Sequence, residues 1–244
     1  MTILDFQNWL RVKRVLPPVT QDGSQAELRG SRYGDAVVIS RIQKMHPLAD
    51  QGGYFVSANP TIATGIAYTA APTAFSDTVA FLLIKNKETA SNSKAKRIYL
   101  DYLKLVPTVI GAGPITSVQL AVTIDDVNRY TSGGTLIAPV GVNMDDANSS
   151  IAQVYAGTPT IAAVGPNVRR PITTRIVKAA VAALLDEYLI QFGNVEGNNV
   201  IGAGAVKSCP AIILGPQQFA LFHIILPGQS AASSFEFELG HWEE

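Results

Sequence analysis

Near its end the chain alternates apolar and acidic residues without a break, Phe235-Glu236-Phe237-Glu238-Leu239, before Gly240-His241-Trp242. Successive side chains of a β-strand point to opposite faces, so a period of two marks a strand with one face in a core and the other in water. Such a strand must pair with strands made earlier. It ties the tail into a sheet and makes the distal part of the chain a single β-domain.

Composition bounds the size and surface of that domain. A chain of 244 residues has room for one or two domains, and an all-β sandwich can use most of it as one unit. Charged residues make up 16% of the chain, below the roughly 25% usual for a globular domain, while apolar residues stand at 47%. The surface is therefore poor in charge or largely covered. Nineteen basic residues balance nineteen acidic ones, so total charge draws the protein neither to nucleic acid nor to an anionic membrane.

The one cysteine, Cys209, excludes an intrachain disulfide and any multi-cysteine zinc site, and its apolar surroundings predict a buried small residue. No apolar run reaches the roughly 18 to 20 residues needed to span a bilayer; Phe219–Leu226 is interrupted by His223 and stopped by Pro227-Gly228. Met1–Leu10 lacks the basic start, apolar centre and cleavage site of a secretory signal. A soluble protein folding in a cytoplasm is the expectation.

The first fifty or so residues differ from the rest of the chain. They hold basic residues at Arg11, Lys13, Arg14, Arg29 and Arg32, the Pro17-Pro18 pair and a polar stretch over Thr20–Ser24, with too little apolar sequence for a core of their own. Residues 1–56 are expected to form an extended arm that orders against a neighbouring subunit or a larger assembly. Residues 57–244 are expected to form the β-body. The alternative is that the first segment supplies an ordinary strand pair to that same body. The boundary is placed near Gly52-Gly53-Tyr54.

Strand candidates then succeed one another at sandwich-like spacing. Val79–Lys85 is a dense apolar run, suited to a strand buried on both faces; Arg97–Val106 and Val118–Ile124 alternate. Turns are expected at Asp125-Asp126, Gly133-Gly134 and Asp145–Ser150, with strands at Leu136–Val142 and Ala152–Tyr155 between them. Arg175–Ile190 has the spacing of an amphipathic helix, yet Asp186-Glu187 also serves as a turn between two strands, the second carrying Tyr188, Ile190 and Phe192. Val200–Val206, Ala211–Leu214, Phe219–Leu226 and Phe235–Leu239 complete the set. At least eight strands predict an all-β fold, two stacked four-stranded sheets in a jelly-roll β-sandwich. No internal repeat points to a propeller or solenoid.

Residues that carry chemistry are few and scattered. There are three histidines, His46, His223 and His241, and no Gly-x-Ser-x-Gly elbow, so a serine hydrolase lacks its usual signs. His223 sits inside an apolar strand and reads as a satisfied core or interface residue. Asp125-Asp126 and Asp145-Asp146-x-Asn148 are the best candidates for ion ligands, although turn formation explains both. Glu236 and Glu238 share a strand face, which solvent exposure or salt bridges with arm arginines explains better than a glycosidase pair. Gly111-Ala112-Gly113-Pro114 and Gly202-Ala203-Gly204 lack the rest of a nucleotide fingerprint, and no cofactor is implied. Arg169-Arg170 with Arg175, and Lys94, Lys96 and Arg97, lack the interleaved aromatics of a nucleic-acid platform.

Several stretches, Leu48–Thr61, Ala74–Thr78 with the run to Asn86, Lys96–Tyr102, Asn128–Thr135 and Asn143–Asp145, together resemble virion structural proteins of tailed bacteriophages. The resemblance extends over most of the chain as a style of sequence. It implies a capsid cement or decoration protein, non-enzymatic, with a jelly-roll body, often a homotrimer, bridging major capsid protein subunits on the capsid surface of the virion. It implies no membrane and no direct nucleic-acid partner. On that reading the partner-binding residues are Trp9, Arg11, Lys13, Arg14, Arg29 and Arg32 of the arm and His241 and Trp242 of the tail. Two rivals remain: a tail or receptor-binding protein that stacks exposed aromatics on glycans, and a glycanase or esterase on a β-sandwich.

Overall fold

The computed structural model describes residues 45–68, 73–89, 95–109, 118–126, 128–145, 148–163, 169–173, 185–193, 200–201, 204–229 and 231–244. All belong to one compact unit, Met45–Glu244. A short helix, α1 (Met45–Asp50), precedes β1 (Tyr54–Ala58), β2 (Ile66–Tyr68), β3 (Leu82–Asn86), β4 (Ile98–Val109) and β5 (Gln119–Asp125). Then come β6 (Tyr130–Ile137), β7 (Val140–Gly141), β8 (Ala152–Ile161), β9 (Arg169–Thr173) and β10 (Tyr188–Phe192). The last third holds β11 (Val200–Ile201), β12 (Gly204–Cys209), β13 (Ile213–Leu214), β14 (Phe219–Ile225) and β15 (Ser233–Glu243).

The strands form a β-sandwich of two sheets. The larger runs β11-β12-β10-β4-β15-β1-β7, with β13 also on β4 and β2 also on β15; the smaller runs β6-β8-β3-β14-β5-β9. Every pairing among the described residues is antiparallel except β10 with β12. The all-β sandwich expected from the sequence is therefore present, with nine- and six-stranded sheets in place of two sheets of four.

The sequence explains the layers. On β15 the odd positions from Ser233 to Glu243 are all buried, and Phe235, Phe237 and Leu239 meet Phe81 and the inner face of the small sheet. Phe81 makes edge contacts with Tyr68, Phe235 and Phe237 at centroid distances of 5.7, 5.6 and 6.2 Å, the geometry aromatic quadrupoles favour. The unbroken apolar runs belong to β3 and β14, neighbours in the small sheet. Its outer face is covered too, by a second cluster of Ala80, Leu83, Ile161, Phe219 and Leu221. Burial on both faces is why these two strands do not alternate. Cys209 is buried, as its context predicts.

His223 of β14 is held from both ring nitrogens. Nδ1 lies 2.7 Å from the Val79 carbonyl, which only accepts, so Nδ1 carries the proton; Nε2 lies 3.1 Å from the Thr123 hydroxyl. A buried arginine closes the end of the small sheet at Asp125. Arg129 donates Nε and Nη2 to Asp125 Oδ2 at 2.8 and 2.6 Å, and Nη1 to the Asp77 and Ala162 carbonyls. One guanidinium thereby fastens the segment before β3, the β5–β6 turn and the end of β8.

Several boundaries differ from the sequence expectation. The division at residue 56 falls inside β1, whose Tyr54 and Phe55 pair with Trp242 and His241; the described body begins with α1. Gly133-Gly134 is no turn: β6 runs through both glycines, at φ of 73° and 75°, and its register with β8 is broken there opposite Pro159. Pro159 has no N–H for the ladder, and two left-handed glycines absorb the mismatch. β8 accordingly continues beyond Tyr155 to Ile161. Residues 174–184, where helix and strand pair compete, lie outside the described residues, while β10 matches the expected outgoing strand.

Candidate functional site

The outer face of the large sheet gathers the exposed polar side chains of β4 and β15. β4 begins in alternation, with Tyr99 outward and Leu100 inward. Opposite Gly240-His241 it carries one extra residue, so that Asp101 and Tyr102 both lie on the outer side. This bulge turns both side chains outward, Tyr102 toward Glu238 of β15 and Asp101 toward Tyr54 of β1. Tyr102 donates its hydroxyl to Glu238 Oε1, and Tyr54 of β1 donates to Asp101 Oδ2 at 2.9 Å. Burial first, and then the facing carboxylates, hold both tyrosine hydroxyls far above the usual tyrosine range, so each is a fixed donor.

Gly240 makes the arrangement possible. A Cβ there would collide with the Tyr102 ring and the Tyr54 hydroxyl, which lie over the bare backbone. Beyond it, Trp242 stacks on Tyr99 at 5.3 Å with the rings 1° from parallel. The two rings cover one another across strands.

At the other end of this face lies an open cleft of about 210 Å³, lined by Asn59, Ile62, Lys104, Val106, Glu236 and Glu238 among others. Its wall is the loop after β1. Asn59 continues the β1–β15 ladder, with its N–H on the Phe237 carbonyl at 3.3 Å and its Oδ1 accepting the Phe237 N–H at 2.7 Å. Its Nδ2 donates to the Thr64 carbonyl at 3.0 Å, which fixes the loop that presents Ile62, 92% exposed. Lys104 forms an ion pair of 3.3 Å with Glu187. Glu236 has no ion pair or hydrogen bond among the described residues, leaving a carboxylate toward the cleft beside the tyrosine-held Glu238.

A separate polar cluster lies inside the sandwich. Ser150, His241 and Glu243 are all buried, the serine ahead of β8 and the other two on inward positions of β15. The Glu243 carboxylate accepts from Ser150 Oγ at 2.5 Å, from the Ile151 amide at 3.0 Å and from the Ala152 amide at 3.3 Å, with His241 Nε2 at 3.4 Å. Burial pushes its carboxyl up, but hydrogen bonds from His241, Ser150 and Ile151 outweigh that and leave it below the usual carboxylate range. Serine, histidine and acid are the residue types of a hydrolase triad, but the connectivity differs. In a triad the imidazole stands between hydroxyl and carboxylate. Here the serine hydroxyl donates directly to the acid, and the cluster is a clamp joining the two sheets.

The tail pair expected to contact a partner is divided by this geometry. His241 faces inward, fully buried and stacked on Phe55 at 5.8 Å; Trp242 faces outward. Strand alternation separates adjacent residues, so His241 offers no surface within this body. Trp9, Arg11, Lys13, Arg14, Arg29 and Arg32 lie outside the described residues. Asn143 Oδ1 accepts the Asp145 N–H at 3.0 Å, a local turn bond, and Asp126 lies just past the end of β5. Among the described residues no group of three or more histidine, cysteine or acidic side chains is placed to hold a metal ion. The bulge that builds the aromatic and acidic face left no mark in the sequence beyond Asp101-Tyr102 breaking alternation. No family model, curated protein or solved structure matches this chain.

Proposed function

We propose that the chain is a virion structural protein: a jelly-roll body that associates with copies of itself and binds major capsid protein as a cement or decoration protein. The observation that carries this reading is the order of strand pairing. Take β1, β3, β4, β5, β9, β10, β14 and β15 as strands one to eight. The core of the large sheet then runs one-eight-three-six and the core of the small sheet two-seven-four-five. This order supports a jelly-roll reading of the sandwich, two interleaved Greek keys, an architecture used by viral capsid domains and by lectins. The remaining strands are additions: β6 and β8 extend the small sheet beyond β3, and β11 and β12 extend the large one beyond β10.

The capsid reading over the lectin reading is supported by the resemblance over most of the chain and by the long basic segment ahead of the body. The Tyr99 and Trp242 rings, stacked on each other, leave less free ring surface for a sugar. The function is then mechanical, burying surface between neighbouring subunits so that a shell resists outward pressure. Coexpression with the major capsid protein of the same genome tests it. Cosedimentation of the chain with assembled shells is the expected result. A chain that never joins shells but binds a glycan array contradicts it.

A further inference from the structure

One row of cross-strand neighbours runs across the outer face of the large sheet. Val142, just past β7, lies opposite Tyr54 with its N–H on the Tyr54 carbonyl at 3.3 Å; Tyr54 pairs with Trp242, Trp242 with Tyr99, and Tyr99 with Ile213. Their chain neighbours Phe55, His241, Ile98 and Leu214 are buried in the sandwich, so strand alternation turns the row outward. Val142 and Ile213 at its ends are 47% and 45% exposed, and the Tyr99–Trp242 stack between them is partly exposed, whereas Tyr54, reaching across Gly240 to Asp101, is buried. Neighbouring strands about 4.8 Å apart make this a stripe about 19 Å long, and none of its residues is charged. With Val140 and Met144, two residues to either side of Val142 and 63% and 91% exposed, it offers on the order of 500 Å² of apolar surface, over half of the roughly 800 Å² that each partner gives to a stable interface. Charges border the stripe. Two residues before Tyr99 stands exposed Arg97, paired through its backbone with Glu244; beyond Tyr99 the β4 bulge carries Asp101, and Gly240 holds the corresponding place on β15.

We propose that this stripe is a self-association face, packing on the same stripe of a second copy about a two-fold axis that runs along it. That axis lays each residue of the row over its own counterpart and reverses the strand direction. Arg97 then comes over the partner subunit's Asp101, and Glu244 over the partner's Gly240, where there is no side-chain charge to oppose it. An axis along the strands instead keeps Arg97 away from that acid and brings Val142 over the partner's Ile213. A second copy fits this face because an uncharged stripe sets no like charges across the axis, and because the charged borders are complementary under that one rotation. The proposal rests on the self-associating reading above and names the contact. Being two-fold, the contact joins copies in pairs, so in a trimer it is the contact from one trimer to the next.

The test uses full-length chains, each with one added cysteine, and a short bismaleimide that reaches across the roughly 10 Å between stacked sheets; the native Cys209 is buried and a poor competitor. I213C and V142C are each expected to give a linked species at twice the chain mass, and L136C, exposed on the edge strand of the small sheet, to give none. When I213C is mixed with a size-tagged V142C, no link of mixed size is expected; such a link would place the axis along the strands and overturn the register. In parallel, R97E is expected to weaken self-association about tenfold, read from its concentration dependence by light scattering. Wild-type chains that associate while neither I213C nor V142C links, and whose association R97E leaves undiminished, overturn the proposal while leaving self-association standing. Wild-type chains that stay monomeric overturn both.

Discussion

Glu243 is a carboxylate at an inward position of a hydrophobic strand, and it is tolerated there because backbone amides and a serine hydroxyl converge on it. Glutamine keeps one acceptor oxygen but turns an NH2 toward buried donors that the second carboxylate oxygen satisfied. Glu243→Gln is expected to cost about 1–3 kcal/mol at neutral pH, read from urea unfolding. The pH dependence comes from the depressed carboxyl. A group whose folded pKa lies below its ordinary 4.5 contributes stability that is complete above that value and is lost as pH falls through the folded pKa. The gap between wild type and Glu243→Gln should therefore narrow below pH 4.5, and a gap independent of pH would contradict the clamp. Gly240→Ala forces the Tyr102 and Tyr54 side chains off their carboxylate partners and is expected to cost about 1–3 kcal/mol. Neither position is legible in the sequence. Gly240 reads as punctuation after a strand, and His241 and Glu243 read as polar tail, because an inward-facing polar residue breaks the apolar pattern by which alternation is recognised.

Strands were legible where burial wrote a pattern into the residues. The alternation of Phe235–Leu239 marks the middle of β15, and the unbroken runs of Val79–Lys85 and Phe219–Leu226 mark β3 and β14, covered on both faces. Where a strand departs from regular pairing, the pattern fails. β6 passes through two left-handed glycines and is exposed from Thr131 to Leu136, so neither alternation nor apolar content reveals it. The bulge of β4 puts Asp101 and Tyr102 on one side, which a period-two reading cannot represent. β15 is the element on which the large sheet depends, bonded to β4 along nearly its whole length and to β1 and β2 on its other edge. Removing residues 239–244 strips the pairing from β1, the clamp on β8 and the Trp242–Tyr99 stack together. That variant is expected to lose its cooperative thermal transition, monitored by near-ultraviolet circular dichroism. A cooperative melt within a few degrees of wild type would show that the sheet closes without this strand.

The sandwich itself was legible, because strand-length apolar runs separated by turn residues at short spacing leave few other ways to bury a core. The size of each sheet was not, since β2, β7, β11 and β13 are two or three residues long and are defined by their neighbours rather than by their own sequence. Glycines at 52 and 53 read as a break in the sequence, yet the compact unit begins at Met45, and the Gly53 carbonyl accepts from Glu243 at 2.9 Å. Deletion of residues 1–44 is therefore expected to leave a folded body with an unchanged thermal transition, whereas deletion to 56 removes half of β1 and destabilises it. The first measurement to make is the solution mass of the full-length chain beside that of the chain lacking residues 1–44, by light scattering across a range of concentrations. A full-length chain that forms a stable oligomer, most simply a trimer, and a truncated chain that stays folded in the same oligomeric state is the expected result. A full-length chain that remains monomeric throughout would contradict the structural-assembly reading.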